Sequence, residues 1–330
     1  MAPTNLSALN VGGVPIFGGS KELVAYRKVY FVSKHTGGSD GNSGLSVDQA
    51  FKTVQKALDT VSDEDTIIVL RGSYDEQLTT GQFPGRQSVL DKAVAGRGRW
   101  CQLIGASQGQ WAFDAPQLYN EAGSTATLIV RAPGWRISGF RLVGDTGSPI
   151  IVRLQFNQAG STADTNWAPG TTIDNCVFYG AVANCDGLDF EGAPPDVRIL
   201  DNIFELFPST GTCILSSSSG VAQANRCTIS GNQFIDNVNS IDMNPRGFNA
   251  SNIINNYIMN GHVNTLVVGF DNTGGNDCLV AGNYLGGDTA DSYGDAHYVA
   301  GTGDHWIGNA TSDSAATNTT GPWTHGDPAT

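Results

Sequence analysis

Ile199-Leu-Asp-Asn202-Ile-Phe204 returns as Ile229-Ser-Gly-Asn232-Gln-Phe234, Ile253-Ile-Asn-Asn256-Tyr-Ile258, Val280-Ala-Gly-Asn283-Tyr-Leu285 and Trp306-Ile-Gly-Asn309-Ala-Thr311. The shared pattern is an apolar residue, two mostly small or polar residues, Asn, any residue, and a second apolar residue. Two earlier copies replace the Asn: Ile137-Ser-Gly-Phe140-Arg-Leu142 and Ile173-Asp-Asn-Cys176-Val-Phe178. A weaker one is Leu103-Ile-Gly-Ala106. The starts at 103, 137, 173, 199, 229, 253, 280 and 306 are 34, 36, 26, 30, 24, 27 and 26 residues apart. Self-similarity at this period is the mark of a repeat architecture.

A second strand is expected between motifs, at Leu188-Asp-Phe190, Ile214-Leu215, Ile241-Asp-Met243, Leu266-Val-Val268 and His297-Tyr-Val299. Each repeat therefore carries at least two short strands. Strands this short alternate their side chains, and one repeat cannot bury its apolar face alone. Stacking buries it, with equivalent strands paired in parallel. The fold class this predicts is all-β, a parallel β-helix solenoid. Asn202, Asn232, Asn256, Asn283 and Asn309 form a structural row in it. At a turn each amide can bond the Asn of the next coil, and Asn tolerates left-handed backbone. Cys176 interrupts the row toward the N-terminus. Seven steps of about 4.8 Å give about 34 Å between first and last motif.

Composition agrees. Of 330 residues 42 are Gly, and 21 of the 25 Asn lie beyond residue 150. Both are turn residues, so the second half reads as short strands and tight turns. Lys plus Arg number 18 against 31 Asp plus Glu, a formal charge of −13. That balance, without a basic run, argues against nucleic acid and against anionic lipid as partners. No stretch of 18 apolar residues exists to span a membrane. Met1 to Ser20 holds no basic residue and no apolar core of a secretory signal, so folding in a cytoplasm is expected. The six cysteines (Cys101, Cys176, Cys185, Cys213, Cys227, Cys278) contain no CxxC pair and read as free apolar filler.

Residues 28–76 are expected to cover the N-terminal end. Val29–Val32 is a strand, 37–44 a polar turn, and Ser46 with Gln49 a capping box. A helix then runs from about Val47 to Val61, with Ala50, Phe51, Val54, Ala57, Leu58 and Val61 on its apolar face. Thr66–Leu70 is the next strand. The string Gly38-Ser-Asp-Gly-Asn-Ser-Gly-Leu-Ser46, then Ala50-Phe-Lys-Thr-Val-Gln-Lys-Ala57 and Gly72-Ser-Tyr-Asp-Glu76 resembles the opening of right-handed parallel β-helix proteins of the pectate-lyase-like superfold. With the repeats, the resemblance covers about 28–312. Its members include polysaccharide lyases and hydrolases, phage tailspikes and non-enzymatic phage structural proteins. The glycine-rich stretch Val11–Gly19 is similar to N-terminal arms of phage head-associated β-helix proteins. Three parts are expected: an arm over 1–27 with contacts through Leu9, Val14, Ile16 and Phe17, the solenoid over 28–312, and an extension over 313–330. Residues 84–100 and 107–127 read as excursions on one face of the solenoid.

The catalytic candidates are few. If Leu188 and Phe190 point inward, Asp189 and Glu191 point outward, and Ile241 and Met243 put Asp242 on the same face two coils on. Asp189 and Asp242 are then about 10 Å apart, near the upper end of inverting glycosidase spacing. Leu215 sits between them, and solvated outer-face charges are the plainer expectation. Arg131 and Arg246 stand without an acidic cluster. Asp271–Asp277 lacks EF-hand spacing and reads as a turn. His35, His262, His297, His305 and His325 show no paired ligand spacing. No metal and no cofactor is expected.

What the resemblance implies is a non-enzymatic structural protein of a tailed-phage virion, a head surface decoration or spike assembled in the host cytoplasm. Its expected partners are itself, as a homotrimer, and the major capsid protein or another virion protein. The alternative is a small tailspike that binds or cleaves bacterial surface polysaccharide as a hydrolase or lyase, through Asp189, Glu191 and Asp242. Enzymatic activity stays open, with the weight against it.

Overall fold

The computed structural model describes residues 10–11, 14–15, 27–35, 37–76, 99–106, 115–119, 126–130, 132–144, 150–155, 168–180, 184–208, 210–217, 223–259, 267–286 and 298–312. Leu9, Ile16, Phe17, Trp111, Phe113, Arg131, His262, Leu266, His297, His325, and the segments 84–98 and 313–330 lie outside them. Of the arm, the backbone of Asn10–Val11 pairs antiparallel with Val14–Pro15.

Three parallel sheets make the coil. Sheet A has ten strands, running from Val29–Val32 and Thr66–Val69 to Leu279–Ala281 and His305–Ile307. Sheet B has nine, from Ser73–Asp75 to Ala310–Ser312. Sheet C has seven, from Leu128–Val130 to Tyr298–Val299. The recurring sequence motif is the corner between sheets A and B. Ile199 lies in Arg198–Leu200 of sheet A, Asn202 turns the chain, and Phe204 lies in Ile203–Glu205 of sheet B. The second strand expected between motifs is sheet C, so a full coil carries three strands.

Register follows the motif. Ile173, Ile199, Ile229, Ile253, Val280 and Trp306 are successive partners in sheet A. Phe178, Phe204, Phe234, Ile258 and Leu285 are successive partners in sheet B. These inward side chains form one core along the axis. Phe178, Phe204 and Phe234 stack with ring centroids 4.5 and 4.9 Å apart, a spacing imposed by neighbouring strands.

The asparagine row is buried and continuous. Asn232 Oδ1 accepts from Asn202 N at 2.9 Å and Asn202 Nδ2 at 3.1 Å. The same pair of bonds joins Asn232 to Asn256, Asn256 to Asn283, and Asn283 to Asn309. Cys176 N donates to Asn202 Oδ1 and closes the row. Each Nδ2 also donates to a sheet A carbonyl of the preceding coil, such as Ile199 O for Asn232. The left-handed residue is not the row Asn but the one before it: Asp201, Gly231, Asn255, Gly282 and Gly308 have φ between 53° and 70°. Gly, Asn and Asp are the residues that tolerate that conformation.

Two local expectations fail. Residues 47–61 are not one helix. Val47–Gln49 is a single 3-10 turn, and Ser46 makes no side-chain cap. The chain then extends at Ala50–Phe51, because Phe51 N donates to Phe31 O and Phe51 O accepts from Ser33 N. The α-helix is Val54–Thr60, capped by the Thr53 side chain, which accepts from Lys56 N. Glu76, at the end of the Gly-Ser-Tyr-Asp-Glu string, adds a second cap by accepting from Val54 N and Gln55 N at 2.6 and 2.7 Å. A long-range carboxylate at the helix N-terminus thus replaces the local capping box. The strand expected at 266–268 is instead Val268–Asp271, with Phe270 in register with Ile241. Phe270 is buried while Val267 is 53% exposed, so burial of the larger side chain sets the register.

Candidate functional site

Sheet C holds the candidate carboxylates. Its inward column is Leu128, Val152, Leu188, Ile214, Ile241, Phe270 and Tyr298. Alternation puts the next residue of each strand on the outer face: Ile129, Arg153, Asp189, Leu215, Asp242, Asp271 and Val299. Gln155 and Glu191 pair in a second outer column. Asp189 and Asp242 therefore share a face two strand steps apart, about 10 Å, with Leu215 between them.

Asp189 is not a solvated charge, as the plainer sequence reading held. It is 0% exposed. Its Oδ2 accepts from Arg153 Nε at 3.0 Å and from Ser217 Oγ at 2.8 Å, and its Oδ1 accepts from Ser217 N at 3.0 Å. Glu191 accepts from Gln155 Nε2 at 2.7 Å and lies 3.5 Å from Arg153 Nε. Three charge-assisted bonds hold this buried carboxylate inside the protein, away from the surface a substrate would reach. Asp186, three residues earlier on the same strand, accepts from Thr212 N at 2.8 Å. Burial raises its carboxyl to about 6, with the nearby Asp189 charge adding to the rise.

Asp242 is less constrained. Its Oδ1 accepts from Asn244 N at 3.1 Å. Burial raises its carboxyl above the ordinary range, and Asp271 raises it further. Asp271 accepts from Thr273 N at 2.7 Å and Asn244 Nδ2 at 3.3 Å. The sequence reading missed Asp271 as the neighbour of Asp242 because it placed this strand too early. The signal that finds it is Phe270, the one large apolar residue able to continue the Leu188–Ile214–Ile241 column.

The loop 271–277 is held by protein groups. Gly275 N donates to Asn272 O at 2.7 Å, and buried Asn272 accepts from Phe248 N and donates to Asp304. Among the described residues, no three His, Cys, Asp or Glu side chains converge as metal ligands. No described helix is long and apolar enough to cross a membrane.

The protein is a right-handed parallel β-helix, the fold of the pectate-lyase-like proteins. Among solved structures it is similar to XylC in complex with xylose, at 11% identity and a TM-score of 0.51, over 86% of this chain and 70% of that one. Pectate lyase Pel9A matches at 12% identity and a TM-score of 0.42, over 92% of this chain and 82% of that one. Pectin methylesterase PemA from Erwinia chrysanthemi matches at 12% identity and a TM-score of 0.35, over 89% and 92%. No protein-family description and no curated protein matches the sequence. At these identities the shared property is the fold.

Proposed function

We propose that the protein is a non-enzymatic structural β-helix of a tailed-phage virion, a decoration or spike on the head surface. The observation that carries the non-enzymatic part is Asp189, fully buried and bonded to Arg153 and Ser217 where a catalytic carboxylate would need to reach its substrate. The resemblance of Val11–Gly19 to the arms of phage head-associated β-helix proteins supports the phage part, and so does the acidic surface, which keeps an exposed protein soluble. In this reading the protein assembles as a homotrimer and docks on the major capsid protein or another virion protein. The test is copy number per purified particle, measured by quantitative mass spectrometry against the major shell protein. Hundreds of copies, scaling with the shell lattice, support decoration. A few tens or fewer place it on the tail or a vertex, and absence from particles removes the reading.

A second reading has its own observation. Asp242 and Asp271 are direct register partners, one strand step of about 4.8 Å apart. Asp242 is also raised toward the protonated form. That separation is close to that of retaining glycosidases. The reading is a glycan-cleaving spike, with Asp242 as acid and Asp271 as nucleophile. Asp242→Asn should abolish release of reducing ends from host polysaccharide, while Asp189→Asn should act only through stability.

A further inference from the structure

The corner between sheets A and B changes its chemistry along the solenoid. In the earlier coils it carries charges: Arg136 and Arg141, then Asp174, then Arg198, Asp201 and Glu205. From Thr228 onward the charges stop. The segments 228–235, 252–259, 279–286 and 305–312 each run through a sheet A strand, the asparagine turn and a sheet B strand. None of them contains Asp, Glu, Lys or Arg. Successive segments are register partners in both sheets. They therefore form one uncharged wedge, made of two sheet faces and the corner that joins them.

The wedge is both accessible and apolar. Alternation turns Ile254, Leu279 and Ile307 outward on sheet A, and Ile235, Tyr257 and Tyr284 outward on sheet B. None of the six is buried. Ile307 is 61% exposed and Tyr257 36%. The Tyr257 and Tyr284 rings stack with centroids 4.6 Å apart, so the sheet B face presents a rigid aromatic pair. The chain as a whole carries a formal charge of −13, and two copies repel each other in most orientations. The uncharged wedge is the surface on which they approach at least electrostatic cost. A charged partner finds no complementary group there.

We propose that this wedge is where copies of this chain meet side by side, the sheet A face of one against the sheet B face of the next. Ile254, Leu279 and Ile307 of one copy cover the Tyr257–Tyr284 pair of its neighbour. Each copy then uses two different faces, so the contact closes as a ring and not as a two-fold pair. The inference rests on the homotrimer of the proposed reading and names the face that makes it. Asp242 and Asp271 lie on sheet C and take no part.

The experiment is sedimentation equilibrium of the purified full chain at low and high salt, about 20 and about 300 mM NaCl. The expected result is a trimer that tightens as salt screens the repulsion between acidic copies. Tyr257→Glu and Ile307→Glu each set an unpaired charge in the contact and should weaken association by about a hundredfold or more. Both positions are accessible in the single chain, so each variant should keep the far-ultraviolet circular dichroism of the parent. Val267→Glu, at a position 53% exposed just before a sheet C strand, should leave association unchanged. Association that survives both substitutions overturns the inference and leaves the homotrimer to another face. Association that weakens with added salt overturns it, because ion pairs would then make the contact. A dimer in place of the trimer overturns the ring arrangement. A chain monomeric at about 100 μM, a concentration at which a specific contact is populated, overturns the inference together with the homotrimer. Copy number per particle then still tests the virion reading. A chain that is monomeric alone but sediments with the major shell protein through Tyr257 and Ile307 makes that protein the occupant, and the inference fails.

Discussion

On the outer face of sheet C, Arg153 is bonded to Asp189, and Asp189 in turn to Ser217. On the outer face of sheet B, Arg141 rests on Tyr179 and makes no hydrogen bond from its buried Nε. Both arginines occupy equivalent outward positions on short parallel strands, and both are partly covered. They differ in their cross-strand neighbours. Arg153 is opposite Asp189, whereas Arg141 is opposite Val177. Cross-strand pairing decides whether a covered charge finds its partner within the sheet. The face that looks catalytic by carboxylate count is the one whose Asp189 and Glu191 are bonded internally.

The contrast can be broken by substitution. Arg153→Met leaves a buried carboxylate without its counter-charge and should cost about 3–5 kcal/mol in denaturant unfolding. A cost below about 1 kcal/mol would show that the pair is not buried in solution. Ser217→Ala removes one charge-assisted bond to Asp189 and should cost about 1.5 kcal/mol. Asp186 sharpens the comparison through pH. Its folded-state carboxyl is raised to about 6, above the ordinary value of 3.8. The folded state therefore holds the proton more tightly than the unfolded chain. The penalty is absent below about pH 4, grows as pH rises toward 6, and is complete above it. Asp186→Asn should remove that fall in stability, about 1 kcal/mol after discounting for partial solvent contact, seen by comparing unfolding at pH 4 and pH 7. The smallest effect belongs to Arg141→Met, about 0.5 kcal/mol, because only its contact with the Tyr179 ring is lost. A cost as large as that of Arg153→Met would erase the distinction between the two faces.

The fold was legible because one turn chemistry repeats. The Asn row and its flanking apolar residues mark the corner between sheets A and B in the five copies from Ile199 onward, and the register of Ile199, Ile229 and Ile253 follows from it directly. Sheet C was only partly legible. It follows connections of varying length, so its strand near Phe270 had to be found from burial rather than spacing. The helix was misplaced because Ala50 and Phe51 fit a helical face as well as they fit the extended pairing with Phe31 that they make. The outward placement of Asp189, Glu191 and Asp242 followed from strand alternation. Their bonding did not, because Arg153 and Ser217 are 36 and 28 residues away in sequence. The unpartnered Nε of Arg141 gave no signal at all, because a missing bond is recorded in no sequence pattern.

The asparagine row also makes the coil a unit of length. Each row Asn presents the same acceptor to the coil before it and the same donors to the coil after it. Nothing in that exchange identifies which coil is which. Ile229 and Ile253 are register partners, so excising the 24 residues from 229 to 252 (253 − 229 = 24) would bring Asn256 under Asn202, with the row intact. The rod would shorten by one strand spacing, about 4.8 Å. Gene duplication or loss in multiples of one coil thus gives this architecture a ruler, on which the reach of the protein can change while its cross-section stays constant.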